Sequence, residues 1–153
     1  MCGDGWGICL KKHECEHDEN FNALQEKVRE ADAFVYITPV YWSEVSEVLK
    51  NYLDKLRRCQ ATKQWNSEDT TGGSYLSGKP SILVASAGGG GGGIVNTFEC
   101  IERAIAHMGG NSQPRGNVGV YDYIAVNRWN QEYKRESLKS AVKSMVENSK
   151  RRD

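Results

Sequence analysis

The sequence predicts an α/β fold built on a parallel sheet. Short, continuously apolar runs at Ala33–Thr38 and Ser81–Ala87 read as strands buried on both faces. Stretches with a 3.6-residue apolar period separate and flank them. The chain has 153 residues, 39% hydrophobic and 26% charged, the size and composition of one globular domain.

From Asp18 the chain reads as a helix. Phe21, Leu24, Val28 and Ala31 fall on one face, and Asp18 or Asn20 offers a cap. The Ala33–Thr38 strand follows, and Pro39 is expected to end it, because proline has no N–H for the ladder. Ser43 is the expected cap of the next helix. Its stripe is Val45, Leu49, Tyr52, Leu53 and Leu56, with Arg57 and Arg58 at its negative C-terminal end. On that helix Asp54 reads as an ion-pair partner of Arg57 or Arg58. Residues 59–78 are polar and aperiodic and read as a long surface loop.

The second strand, Ser81–Ala87, runs into six glycines, Gly88–Gly93. Ile94, Phe98, Ile101, Ile105 and Met108 then mark an amphipathic helix that Gly109-Gly110 stops. A third strand is expected near Val118–Ile124. The last helix starts near Asn130, with Leu138, Val142 and Met145 facing inward. The order α-β-α-β-α-β-α implies parallel strands joined by right-handed crossovers.

Several classes are excluded or disfavoured. Twenty Lys and Arg balance twenty Asp and Glu, so no positive surplus exists to drive nucleic-acid binding. Acidic residues outweigh basic ones over residues 1–30. Basic ones prevail over residues 134–153, which read as a solvated helix face. No apolar run approaches a membrane span and no signal-peptide pattern opens the chain, so no membrane partner is expected and a cytoplasmic location is the default. Five Cys are too few, and odd in number, for a disulfide scaffold.

In open parallel sheets, ligands bind beyond the carboxyl ends of the strands. Two segments occupy that edge. Thr38-Pro39-Val40-Tyr41-Trp42-Ser43 combines backbone N–H groups, two aromatic faces and a helix start, which suits a flat heterocycle with polar edges. Ala87, Gly88, Gly89 and the glycines after them let backbone approach a ligand closely, though the run holds no isolated GxGxxG and no P-loop Lys. A third candidate is the C-x6-C-x5-C set Cys2, Cys9 and Cys15, with His13 and His17 beside it. It lacks the paired C-x2-C of a persuasive zinc site, and Cys59 or Cys100 would have to complete a four-thiolate iron–sulfur centre. No acid, base or nucleophile stands out, which suits chemistry carried by a cofactor.

The Thr38–Ser43 loop, the helix ending Leu53-Asp54-Lys55-Leu56-Arg57-Arg58 and the Ala87–Gly93 run resemble the NAD(P)H-dependent FMN reductases. The opening Cys2–Cys9 segment with Cys15 looks like the cysteine-bearing loop of the iron–sulfur flavoproteins in that family. Asn127–Lys134 is similar to one branch. The resemblance implies a flavodoxin-like three-layer αβα domain over residues 1–153. It implies FMN held by Thr38, Pro39, Val40, Tyr41, Trp42, Ser43, Ala87, Gly88 and Gly89. NAD(P)H would be co-substrate, and flavin, a quinone or a small electron acceptor would be reduced. An iron–sulfur cluster on Cys2, Cys9 and Cys15 is the alternative it leaves open.

Against a five-stranded flavodoxin-like sheet the chain supplies the last three strands. A fragment with its true start upstream is therefore expected. The Phe34–Thr38 strand would lie at a sheet edge, an apolar edge that invites pairing with another chain. A homo-oligomer, or a non-catalytic module that associates through this edge, is the expectation that follows.

Overall fold

The computed structural model describes residues 8–60, 74–88, 92–108, 121–126 and 131–150. Along the chain the elements are α1 (Ile8–Lys12), α2 (Glu19–Glu30), β1 (Phe34–Tyr41), β2 (Glu44–Val45), α3 (Glu47–Gln60), β3 (Ser81–Ser86), α4 (Ile94–His107), β4 (Tyr121–Val126) and α5 (Gln131–Lys150). The expected alternation holds, with two additions: the five-residue α1 and the two-residue β2. The third strand lies at Tyr121–Val126 rather than near Val118–Ile124.

The sheet order is β2-β1-β3-β4. β1 pairs β3 in parallel from Phe34↔Ser81 to Pro39↔Ser86, and β3 pairs β4 in parallel from Ser81↔Tyr121 to Ser86↔Val126. β2 pairs antiparallel with the end of β1, through Val40↔Val45 and Tyr41↔Glu44.

Alternation sorts the strands onto two faces. Tyr36, Leu83 and Ala85 join Leu53, Leu56, Ile101, Ile105 and Met108 in the main core, under α3 and α4. Ile82 and Val84 point the other way and meet Ala141, with Leu138 and Met145 packed beside them. β3 is therefore buried on both faces, as its composition requires. β1 is not. Tyr36 and Thr38 are buried, but Val35 is 46% and Ile37 67% exposed. α5 packs on β3 and β4 and leaves their neighbour uncovered.

Pro39 does not end β1. The Phe34 N–H donates to the Pro80 carbonyl at 2.9 Å, so residues 34, 36 and 38 turn their main-chain groups toward β3. Residues 35, 37 and 39 turn theirs to the outer edge. The N–H that proline lacks would have pointed away from the ladder, so the strand continues to Tyr41 at no cost in hydrogen bonds.

Asp18 caps α2, its carboxylate accepting from the Phe21 N–H at 2.9 Å. Phe21 and Val28 are buried as expected, while Leu24 is exposed and Gln25 lies inside in its place. Gln25 is tolerated there because its amide donates to the His13 carbonyl at 3.0 Å. α3 reaches Gln60, so Cys59 and Gln60 belong to the helix core and not to a surface loop. The Gln60 amide oxygen accepts from the Tyr75 N–H at 2.8 Å, and Leu76 next to it is fully buried. On α3, Asp54 pairs with Lys50 one turn earlier rather than with Arg57 or Arg58. In α5, Leu138 and Met145 pack toward the sheet as expected, but Ala141 takes the buried place expected of Val142, which is exposed.

Candidate functional site at the carboxyl edge of the sheet

The Thr38–Ser43 segment does not lead straight into a helix. β1 and β2 form a tight hairpin whose two central residues, Trp42 and Ser43, have φ of 51° and 64°. Positive φ at both central positions is the pattern of a type I′ hairpin turn, normally filled by Asn-Gly. Here a Trp and a Ser carry the left-handed strain. Ser43 is accordingly not a helix cap, and Val45, though buried, lies in β2.

The cap is supplied by Ser46, three residues on. Its Oγ accepts from the Leu49 N–H at 3.4 Å, and its carbonyl accepts from the Lys50 N–H at 2.9 Å. Thr38, buried at the end of the ladder, ties this start to the strand. Its hydroxyl accepts from the Ser46 N–H at 3.2 Å and donates to the Pro39 carbonyl at 2.9 Å.

The turn presents its side chains outward. Trp42 is 99% and Tyr41 61% exposed, Pro39 and Ser43 are exposed, and Val40 is half-buried. Tyr41 and Trp42 thus do not pack on the helix below. From the neighbouring strand, Ala87 is buried and Gly88 stands in the open, with nothing within 4 Å of where a Cβ would lie. Gly89 falls outside the described residues.

The two segments converge at Gly93, which precedes α4 with φ of 84°. A Cβ there would lie 2.2 Å from Ser43 Cα. Only glycine satisfies both the left-handed backbone and the close approach. Gly93 and Ser46 were hidden in the sequence, one inside a homopolymer and the other behind an equally plausible cap. At the far side of the hairpin, burial pushes the Cys100 thiol above the usual range.

The arrangement can sandwich or edge-bind a flat, uncharged ring. It offers exposed aromatic faces on one side, open glycine backbone on the other, and main-chain groups of a strained turn between them. Among the described residues no general acid or base is set by a hydrogen bond toward it.

The cysteines assemble elsewhere. A cavity of about 430 Å³ between α1 and α3 is lined by Cys9, Cys15 and Cys59 together with His17, Lys55 and Arg58. Cys59 is pushed up to about 12, first by burial and then by the nearby Cys9 and Cys15 thiols. At its rim Lys55 pairs with Asp18. That hydrogen bond, and then the one from the Phe21 N–H, hold the Asp18 carboxyl below its ordinary value. His13 is structural. Its Nδ1 lies 2.8 Å from the Cys59 carbonyl and its ring lies 4.7 Å from that of Tyr75. Among the described residues no group of three or more His, Cys, Asp or Glu is placed to hold a metal ion. Cys2 falls outside those residues.

Comparison with known proteins gives a consistent picture. The sequence model of the NADPH-dependent FMN reductase family matches residues 4–122. Two curated iron-sulfur flavoproteins of Archaeoglobus fulgidus are 35% and 38% identical over 52 and 53 residues. Those stretches cover 34% and 35% of this chain, but 24% and 26% of the relatives. The chain thus spans about a quarter of the curated relatives it matches. Among solved structures, general stress protein 14 of Treponema denticola in complex with FMN aligns with a TM-score of 0.52 at 15% identity, over 94% of this chain and 87% of that one. RosB with a bound 8-demethyl-8-formylriboflavin-5'-phosphate intermediate aligns at 0.58 and 15%, over 96% and 57%. An NADPH-quinone reductase of P. pentosaceus aligns at 0.50 and 16%, over 94% and 84%. These likenesses show a shared flavodoxin-like α/β fold.

Proposed function

The chain belongs to the NADPH-dependent FMN reductase family, and from that premise we propose that it holds FMN at the carboxyl edge of its sheet. We propose further that it serves NAD(P)H-dependent reduction of a flavin, a quinone or a similar small acceptor. When bound, FMN supplies the hydride and electron chemistry, which no side chain at this edge offers.

The observation that carries the reading is the close approach of the exposed Tyr41–Ser43 turn to Gly93, at the sheet edge where Gly88 also stands open. The residues fit a ring of this kind. Trp42 and Tyr41 provide apolar surface that excludes water from it. The left-handed turn directs main-chain groups toward its polar rim. Thr38, through Ser46, fixes the turn against the first residues of α3. Gly88 leaves room for close approach.

The test is titration of the 153-residue chain with FMN, followed by flavin absorbance and fluorescence. A shifted spectrum and quenched emission, followed by NADH or NADPH oxidation with a quinone present, is the expected result. A spectrum identical to free FMN at saturating protein would overturn the reading.

A further inference from the structure

The cavity between α1 and α3 gathers the thiols of Cys9, Cys15 and Cys59, and its chemistry is independent of the flavin reading. Cys59 stands in the last turn of α3, whereas the Tyr41–Ser43 turn adjoins the first. Cys59 is the centre of the group. Its thiol shares a hydrogen bond with that of Cys9 and interacts with that of Cys15. Cys9 and Cys59 are buried and belong to the main core. Cys15 is half-buried and interacts with the Lys55 ammonium at the rim. The three thiols thus run from the cavity mouth into the core.

We propose that this row is a thiol–disulfide exchange site, which accepts oxidation from a low-molecular-weight disulfide at Cys15 and stores it as a Cys9–Cys59 bond between α1 and α3. The Cys15 thiolate attacks one sulfur of the external disulfide, and the first external thiol leaves with the Cys15 proton. Cys59 then attacks the Cys15 sulfur. A Cys15–Cys59 bond forms, and the second external thiol leaves with the proton that Cys59 gives up. Cys9 attacks Cys59 in turn, and its proton passes to Cys15. Two protein thiols are oxidised, and one external disulfide is reduced to two thiols.

Geometry sets where the exchange stops. The Cys9 and Cys59 sulfurs are already in hydrogen-bond contact and need only close to about 2 Å. His13, just after α1, holds its Nδ1 2.8 Å from the Cys59 carbonyl, so the two backbones are tied together where the bond forms. Burial then shields that bond from thiols that would reopen it. Cys59 never meets the external reagent, since Cys15 and Cys9 are its only exchange partners. The bond would fasten a five-residue helix, too short to persist alone, to one of fourteen. It joins positions 9 and 59 and so also constrains the unfolded chain.

The test is incubation of the reduced chain with oxidised glutathione at about pH 8, where free thiols begin to ionise. Digestion without reduction and mass spectrometry then map the cross-link. The expected result is a Cys9–Cys59 peptide pair, two glutathione thiols released per chain, and a melting temperature raised by about 5 °C or more. Dithiothreitol should reverse the rise. Cys15→Ser should slow cross-linking about tenfold or more and leave the same pair as product. Cys9→Ala should stop the exchange at Cys15–Cys59. Mapping of the wild-type chain decides the matter without any variant. Glutathione held on Cys15 as the end product, no internal cross-link, or a main bond to Cys2 or Cys100 would overturn the proposal. So would iron bound by these cysteines in the purified protein.

Discussion

Ser43 and Gly93 touch backbone to backbone, so closely that a single added Cβ on Gly93 would fall 2.2 Å from Ser43 Cα. This contact locks the hairpin turn to the start of α4. Gly93→Ala must therefore move one of the two segments, and it also strains a residue at φ of 84°. The expected cost is about 3 kcal/mol or more in chemical denaturation, with loss of FMN binding. Gly88→Ala is the control. Its Cβ meets nothing within 4 Å, so stability should be unchanged. FMN affinity should nonetheless fall, since the added methyl occupies the space proposed for the ring.

The turn itself is a place where stability and function should part. Replacing Trp42-Ser43 by the residues its geometry favours, as Trp42→Asn with Ser43→Gly, relieves left-handed strain. A gain of about 2 kcal/mol in unfolding free energy is expected. The same double variant removes the most exposed aromatic, and FMN affinity should drop about tenfold or more. Unchanged affinity would mean that Trp42 does not face the flavin.

Cys59 should be silent toward thiol reagents in the folded protein. Burial holds its proton up to about 12, whereas an unfolded thiol ionises near 9. Below about 9 this contribution to stability is fully present. As pH rises from there toward 12 the unfolded chain loses a proton that the folded one keeps, and stability falls. Mass spectrometry after iodoacetamide treatment should show Cys59 unlabelled in the native protein and labelled in urea. Cys59→Ala should flatten the alkaline decline.

The Asp18–Lys55 pair gives the acid counterpart. The folded carboxyl titrates below its ordinary value because Lys55 and the Phe21 N–H hold its charged form. Its stabilisation is therefore complete above the unfolded carboxyl range near 4, and fades as pH falls through the lower folded value. Asp18→Asn keeps an acceptor for the helix cap and removes the charge. The expected result is a lower melting temperature at pH 7 and a shallower loss on acidification.

What could be read from the sequence was set by how local each signal is. The face of α4, the Phe21 and Val28 anchors of α2, the Asp18 cap and the buried β3 run are written in spacing and residue type, and they stand. Pro39 was misread because its meaning depends on which way its missing N–H points, a property of the sheet and not of the residue. Ser43 and Ser46 offer two helix starts three residues apart. The choice between them was made by a left-handed turn at Trp42 and Ser43, for which no glycine gave warning. Gln25, Gln60 and Leu76 break the burial pattern because partners remote in sequence, the His13 carbonyl and the Tyr75 N–H, bond one end of each buried amide. The site's two loops were legible as candidates, but their meeting point at Gly93 was not.

The parallel pairing of Phe34 with Ser81 joins positions 47 apart in the chain. On a ribosome adding about 5–20 residues each second, β1 would leave the tunnel about 2–9 seconds before its partner exists. For that interval Phe34, Val35 and Ile37 lack the β3 side of their ladder. The proline that follows them is then a guard on the newborn strand, denying a passing chain one of the donors it would need to zip along it.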